Sequence, residues 1–304
     1  MQFIYILKRI FQIFKNEGPL ILIKKIFTAS KNKGKIDLDD LINDCPKNLD
    51  EIFIKFGTDK GSFDGKKTFE FVYRKMKDNP YKNYLDWINR KDIKKHQYQL
   101  GLNSAPIYEN IFSKRRNERL KILELGVANG HSIASWHHYF PNSKIYGIDI
   151  KKPHKFFYKS NRVKYNQIDI FDKYKIQKFI NENGPFDYVI DDSMNSKASM
   201  LKNFENFFLN IRENGAYILE DTGFYDLVQN AYKEIEQFNK DHNAQYFMDS
   251  RTINEIFISI KNRQINIDEN IDNEFLKKAS PLIKKLEFGK YKHPYAGMII
   301  IYKQ

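Results

Sequence analysis

From Leu120 onward the chain alternates short apolar runs with stretches of helical pattern, and this alternation limits the available folds more than any other feature. The runs are KILELGV (121–127), KIYGIDI (144–150), VKYNQIDI (163–170), FDYVIDD (186–192) and AYILED (216–221). Helices are expected between them over Ser132–Tyr139, Lys173–Asn181 and Lys197–Arg212. Strands joined through helices need right-handed crossovers, which predicts an α/β fold whose parallel sheet is covered on both faces. Near the C-terminus, IKKLEFGKY (283–291) and AGMIIIYKQ (296–304) predict an antiparallel pair closing one sheet edge.

Three zones follow from this pattern. Residues 1–35 form a basic amphipathic segment, 36–118 a polar region of helical or irregular pattern, and 119–304 the α/β domain. In the first zone Phe3, Ile4, Ile6, Leu7, Ile10, Phe11, Ile13 and Phe14 recur at helical spacing, opposite Lys8, Arg9, Gln12, Lys15 and Asn16. Charges interrupt it before the roughly 20 apolar residues a spanning helix needs, and they sit badly in a signal peptide. Two roles stay open for residues 1–27: packing on this domain or a second copy, and peripheral contact with an anionic membrane. The expected location is cytoplasmic, with the inner membrane face as the variant.

The net charge of +13 invites nucleic acid as a partner. Lys supplies most of it, however, and no arginine stripe with interleaved aromatics appears, so nucleic acid is not the expected partner. A single cysteine, Cys45, excludes an intramolecular disulfide and a thiolate metal cluster.

In open parallel sheets ligands bind at the carboxyl ends of the strands. The first run ends in Gly126-Val-Ala-Asn-Gly130-His-Ser, a glycine turn feeding a helix. The second ends in Asp149, about 20 residues later, the spacing of an acid that accepts ribose hydroxyls. The third ends at Asp169, with Asp172 close by, where an adenine amino group could be met. Two glycines in place of the three of a dinucleotide fingerprint suit a smaller adenosine cofactor.

ILELGVANGHS followed by IYGIDI resembles motifs I and II of the class I S-adenosylmethionine-dependent methyltransferases. FGTDKGS (56–62), SAPIYENIF (104–112), FDYVIDDSMN (186–195) and YILED (217–221) narrow the resemblance. They are similar to a bacterial family of macrolide-sugar O-methyltransferases and cephalosporin hydroxylase-like proteins. The resemblance implies a Rossmann-like seven-stranded sheet with an antiparallel last strand, plus a mostly helical N-terminal region. It implies S-adenosylmethionine as cofactor, bound by Glu124, Gly126, Ala128, Gly130, Ser132, Asp149, Asp169 and Asp191. It implies Mg2+ held by Asp192, Glu220 and Asp221, and a sugar hydroxyl of a glycan or glycoconjugate as acceptor.

The chain departs from the pattern at one place. Where the family reads Asp-Asp-Gly-Ser-His, ending in the general base, this chain reads Asp191, Asp192, Ser193, Met194, Asn195. An asparagine amide orients a hydroxyl but does not take its proton at neutral pH. The catalytic candidates are therefore Asp191, Asp192, Asn195 and His293, with His131 and Tyr225 as further bases. His137 and His138 are expected on a helix surface, and Trp136 in helix packing. GTDKG (57–61) is expected, from the resemblance, to fold over the site as part of a lid, and residues 62–101 to choose the acceptor. Rival readings are an RNA or phenolic or polyketide acceptor, and an inactive cofactor-binding scaffold; self-association is left open.

Overall fold

The computed structural model describes residues 36–40, 46–58, 60–62, 103–128, 130–152, 158–194, 196–222, 252–264, 271–290 and 297–304. Its strands are β1 (Ile36–Asp37), β2 (Lys121–Leu125), β3 (Lys144–Asp149), β4 (Tyr158–Lys159), β5 (Val163–Gln167), β6 (Phe186–Asp191), β7 (Ile211–Leu219), β8 (Ile283–Lys290) and β9 (Gly297–Lys303). Seven of them form one sheet in the order β5-β3-β2-β6-β7-β9-β8, while β1 and β4 form a small parallel pair. The first five strands of that order run parallel, and β9 runs antiparallel to both β7 and β8. The expected sheet and its antiparallel closing pair are both present.

Helices α1 (Leu49–Phe56), α2 (Ala105–Phe112), α3 (His131–Tyr139), α4 (Lys173–Asn183), α5 (Lys197–Phe207), α6 (Ile253–Lys261) and α7 (Asn273–Ala279) cover the sheet. α1 is bounded by local chemistry. Asn48 caps its start by accepting from the Asp50 and Glu51 amides, and Gly57 ends it in the left-handed conformation, φ 72°. The helix expected to run to Arg212 stops at Phe207. A short 3-10 turn, Phe208–Asn210, follows, and β7 begins at Ile211. Phe204, Phe207, Phe208 and Ile211 are all buried, so the apolar pattern crosses the junction without marking it.

Alternation along the strands divides the core in two. Leu123, Leu125, Val189, Tyr217, Leu219, Ile299 and Ile301 face a core shared with α4, α5, α6 and α7. Ile122, Ile145, Tyr188, Ile190, Ala216, Ile218 and Ile300 face a second core shared with α1, α2 and α3. There Trp136 lies against Phe53, Tyr108 and Phe112, with ring centroids 5.2, 4.9 and 5.8 Å away. The described parts of the 36–118 region thus share a core with the sheet. No helix among the described residues is long and apolar enough to cross a membrane.

The expectation of surface histidines on α3 is corrected. His137 is fully buried, its Nε2 2.9 Å from Ser160 Oγ and 3.3 Å from Asp39 Oδ1, and His138 is half-buried beside Phe56. Helix α3 is enclosed because α1 and β4 pack on the flanks that a two-layer picture leaves to solvent.

Candidate active site

The period-2 alternation decides which of the strand-end acids meet. Glu124 falls on the same face as Ile122, and Glu220, one residue past β7, on the same face as Ile218. Asp191 and Asp192 are neighbours in sequence but go to opposite sides. Asp191 sinks into the α5 side, where Ser193 Oγ (2.6 Å), Tyr217 OH (2.6 Å) and Asn203 Nδ2 (3.0 Å to each oxygen) all donate to it. Burial raises its pKa, and these donors oppose the rise. Asp191 is 2% exposed and anchors the loop after β6 from beneath.

A cavity of about 480 Å³ opens at the carboxyl edge, a volume suited to a small-molecule ligand. Gly126, Ala128, Asp149, Asp169, Asp192 and Met194 contribute to its lining, with Ile150 and Phe171 as exposed apolar walls. The glycine turn is shaped for closeness. Gly126 (φ 83°), Ala128 (φ 47°) and Gly130 (φ 81°) all take the left-handed conformation. A Cβ on Gly126 would sit 2.1 Å from the Asp192 carbonyl oxygen, so the glycine is required by the crossing of two strand-end loops. Asp149 holds the turn from the neighbouring strand: Oδ2 accepts from the Ala128 amide and Oδ1 from the Lys151 amide, each at 2.8 Å. Asp169 Oδ1 accepts from the Phe171 amide at 3.0 Å. A carboxylate at the rim and apolar walls fit a nucleoside.

Under the turn, Glu124 is wholly buried and accepts from Ser132 Oγ at 2.8 Å. Its Oε1 has no hydrogen-bond partner among the described residues, and the Trp136 indole lies near without meeting hydrogen-bond geometry. Burial lifts its pKa to about 7, against the opposing pull of the Lys60 charge and the Ser132 hydrogen bond. Such an acid is suited to a ligand that brings its own donor or positive charge.

Beside the cavity, Lys60 Nζ donates to Asp192 Oδ2 at 2.6 Å and to Glu220 Oε2 at 2.7 Å. Tyr108 OH donates to the other Glu220 oxygen. Lys60 and Glu220 are each 1% exposed, so the ammonium is the charge that makes this burial tolerable. The acids fit a hard divalent ion in type and charge, but Lys60 lies where such an ion would draw on the same oxygens. Asp221, expected as a third ligand, is half-buried with φ 55°. Among the described residues no three His, Cys, Asp or Glu side chains already converge as a metal site.

The GTDKG segment was legible in the sequence, but the partners of Lys60 were not; the one available signal was a lysine enclosed by glycines in an otherwise helical stretch. His131 is buried, with Nδ1 3.0 Å from Tyr158 OH, and burial pushes its pKa down to about 4. It packs against β4 and is not part of the cavity lining, which corrects its candidacy as the base. Ser132 is committed to Glu124. Asn195, Tyr225, His293, residues 1–35 and most of 62–101 lie outside the described residues.

No family model matches the chain. A segment is 32% identical over 124 residues to mycinamicin VI 2''-O-methyltransferase of Micromonospora griseorubida. Another match, 31% over 124 residues, is to 8-demethyl-8-(2-methoxy-alpha-L-rhamnosyl)-tetracenomycin-C 3'-O-methyltransferase of Streptomyces olivaceus. Each covers 38% of this chain and 31% of the relative, so the matched segment spans about a third of the curated relatives' length. Among solved structures, the MycE methyltransferase from the mycinamycin biosynthetic pathway, in complex with Mg, SAH and mycinamycin VI, superposes with a TM-score of 0.53 at 19% identity. That superposition covers 86% of this chain and 55% of the other. A crystal form of the same enzyme with Mg and SAH gives a TM-score of 0.51 at 20% identity, over 85% of this chain and 55% of the other. The chain therefore has the methyltransferase fold and resembles the macrolide-sugar O-methyltransferases in sequence.

Proposed function

We propose that the protein is an S-adenosylmethionine-dependent O-methyltransferase acting on a sugar hydroxyl in bacterial glycan or glycoconjugate assembly. The observation that carries this reading is the strand-end cavity, lined by Asp149, which holds the left-handed turn, and by Asp192. Its relatives' printed names, all O-methyltransferases, support the reaction class.

In this reading Asp149 offers its carboxylate to the ribose and Asp169 lies beside the adenine. Ile150, Phe171 and Met194 keep water from the ring. Glu124 and the Gly126–Gly130 turn receive the methionine portion, with Glu124 Oε1 as the acceptor for its amino group. Bound there, S-adenosylmethionine supplies an activated methyl group, so holding the partners in line does most of the catalytic work. Asp192, Glu220 and Asp221 are the acids that would hold Mg2+, which would polarise and orient the acceptor hydroxyl. Asp192 lines the cavity and keeps its sequence assignment as a candidate base. Asn195 and His293 keep their sequence assignments, the first to orient the hydroxyl and the second as an alternative base. The amphipathic segment 1–27 suits a lipid-linked acceptor at a membrane surface, and co-sedimentation with anionic vesicles before and after its removal tests that.

Asn195, standing where the family has a histidine, favours a second reading: a cofactor-binding subunit without turnover. One experiment separates the two. Calorimetry with S-adenosylhomocysteine measures binding, and release of S-adenosylhomocysteine from S-adenosylmethionine is then followed with sugar nucleotides or glycan extract plus Mg2+. Binding with acceptor-dependent release supports the enzyme, binding without release across these acceptors supports the scaffold, and no binding overturns both.

A further inference from the structure

We propose that Lys60 is the resident cation of the Asp192–Glu220 pair, and that a divalent ion enters this site by exchange with it. The proposal rests on the reading of these acids as metal ligands. Its basis is shared oxygens. The ammonium takes Asp192 Oδ2 at 2.6 Å and Glu220 Oε2 at 2.7 Å, the atoms that would otherwise bind a hard cation. Two cations cannot use these oxygens at contact distance together without strong mutual repulsion. The exchange is favoured by charge, because one ammonium leaves two carboxylates with a net negative charge that a divalent ion removes.

The lysine is held there by its backbone. Gly57 caps α1, the Thr58 amide donates to the Phe53 carbonyl at 3.1 Å, and the Ser62 amide donates to Asp50 Oδ1 at 2.6 Å. The Lys60 carbonyl accepts from the Ser104 amide at 3.0 Å and from Ser104 Oγ at 3.1 Å, and the Gly61 carbonyl from the Asn103 amide at 3.3 Å. A Cβ on Gly61 would lie 3.2 Å from Phe53 Cβ, so the segment runs close over α1. The described backbone at 57–58 and 60–62 is thus tied to α1 and to the residues that lead into α2. Displacing the ammonium requires the Lys60 side chain to leave, and Glu220 keeps its Tyr108 hydrogen bond when it does. Metal loading and the position of Lys60 are reciprocally coupled: whatever holds the lysine elsewhere tightens metal binding by the same factor.

The test is Mn2+ binding to the full chain, by calorimetry and by the loss of the free-ion paramagnetic signal. Lys60→Met removes the charge and keeps the apolar stem. The expected result is Mn2+ binding at least about tenfold tighter than wild type, as for loss of a direct charge competitor. Asp192→Asn in the Lys60→Met background should abolish that gain. Equal or weaker Mn2+ binding by Lys60→Met overturns the exchange while leaving the metal site standing, and no binding by either chain overturns the metal site as well. Should Lys60→Met be soluble only with Mn2+ or Mg2+ present, the metal has replaced the ammonium and the proposal is supported. Insolubility with and without metal overturns it. S-adenosylhomocysteine binding to wild type on the same samples tests the cofactor reading separately, since its absence would not alter the Mn2+ comparison.

Discussion

The two halves of the carboxyl edge are finished in opposite ways. Around β2, β3 and the end of β5 the chain leaves a cavity, and its acids Asp149 and Asp169 are held by backbone amides with no ion pair between them and a lysine or arginine among the described residues. Between β6 and β7 the edge is filled behind the cavity wall: Glu220 is buried, and a buried ammonium draws it together with Asp192, which lines the cavity. A half built from glycine turns and amide donors can wait open for a neutral or cationic nucleoside ligand. Two carboxylates at neighbouring strand ends cannot wait empty, because their mutual repulsion and desolvation demand a cation from the moment the chain folds.

Four changes break or sharpen this contrast. Gly126→Ala should have the largest effect, because it joins the halves: the new Cβ would meet the Asp192 carbonyl and carbon at 2.1 and 2.6 Å in a left-handed backbone. A loss of more than about 4 kcal/mol, read from the urea midpoint, is expected from such a backbone collision. Unchanged stability would mean that the loops cross farther apart than described. Lys60→Met should cost about 3 kcal/mol in metal-free buffer, the penalty of leaving the buried Glu220 and the half-buried Asp192 without their partner. A loss below 1 kcal/mol would show that the filled half does not depend on its cation.

Asp149→Ala should leave the filled half intact and weaken S-adenosylhomocysteine binding about a hundredfold, or ~3 kcal/mol, for the lost charged hydrogen bonds. Calorimetry reads this directly, and an unaltered Kd would remove Asp149 from the cofactor site. The last change acts through pH. With Glu124 lifted to about 7 from 4.5, the folded chain keeps a proton that the unfolded chain releases between these values. Stability therefore falls as pH rises through that window, by roughly 3 kcal/mol or less, and the penalty is complete above pH 7. Glu124→Gln should flatten the slope, gaining on wild type as pH rises, and parallel urea midpoints at both ends of the window check it.

Much of the open half was legible because its signals are local. The glycine turn, the acid about 20 residues later and the apolar runs are each fixed by neighbours along the chain. Their boundaries were less secure: β7 begins at Ile211, five residues before the run that announced it, since buried phenylalanines continue the pattern across a turn. The filled half was legible in its acids and hidden in its partner. Asp192 and Glu220 could be read as converging, but Lys60 lies 132 and 160 residues away from them in sequence. His137 and His138 misled for a related reason, because burial on α3 depends on what α1 and β4 bring over it.

The sequence by itself determined the parallel sheet, the antiparallel closing pair, the glycine turn and the set of acids at the strand ends, since periodicity and spacing act within a few turns or strands. Only the tertiary structure decided how these acids divide. Strand alternation sends Asp191 into a cage of Ser193, Asn203 and Tyr217, and leaves Asp192 facing Glu220. The packing of α1 and α2 then sets Lys60 between that pair. A carboxylate's environment is fixed by the charges and donors that arrive from distant segments, and only folding brings them to it.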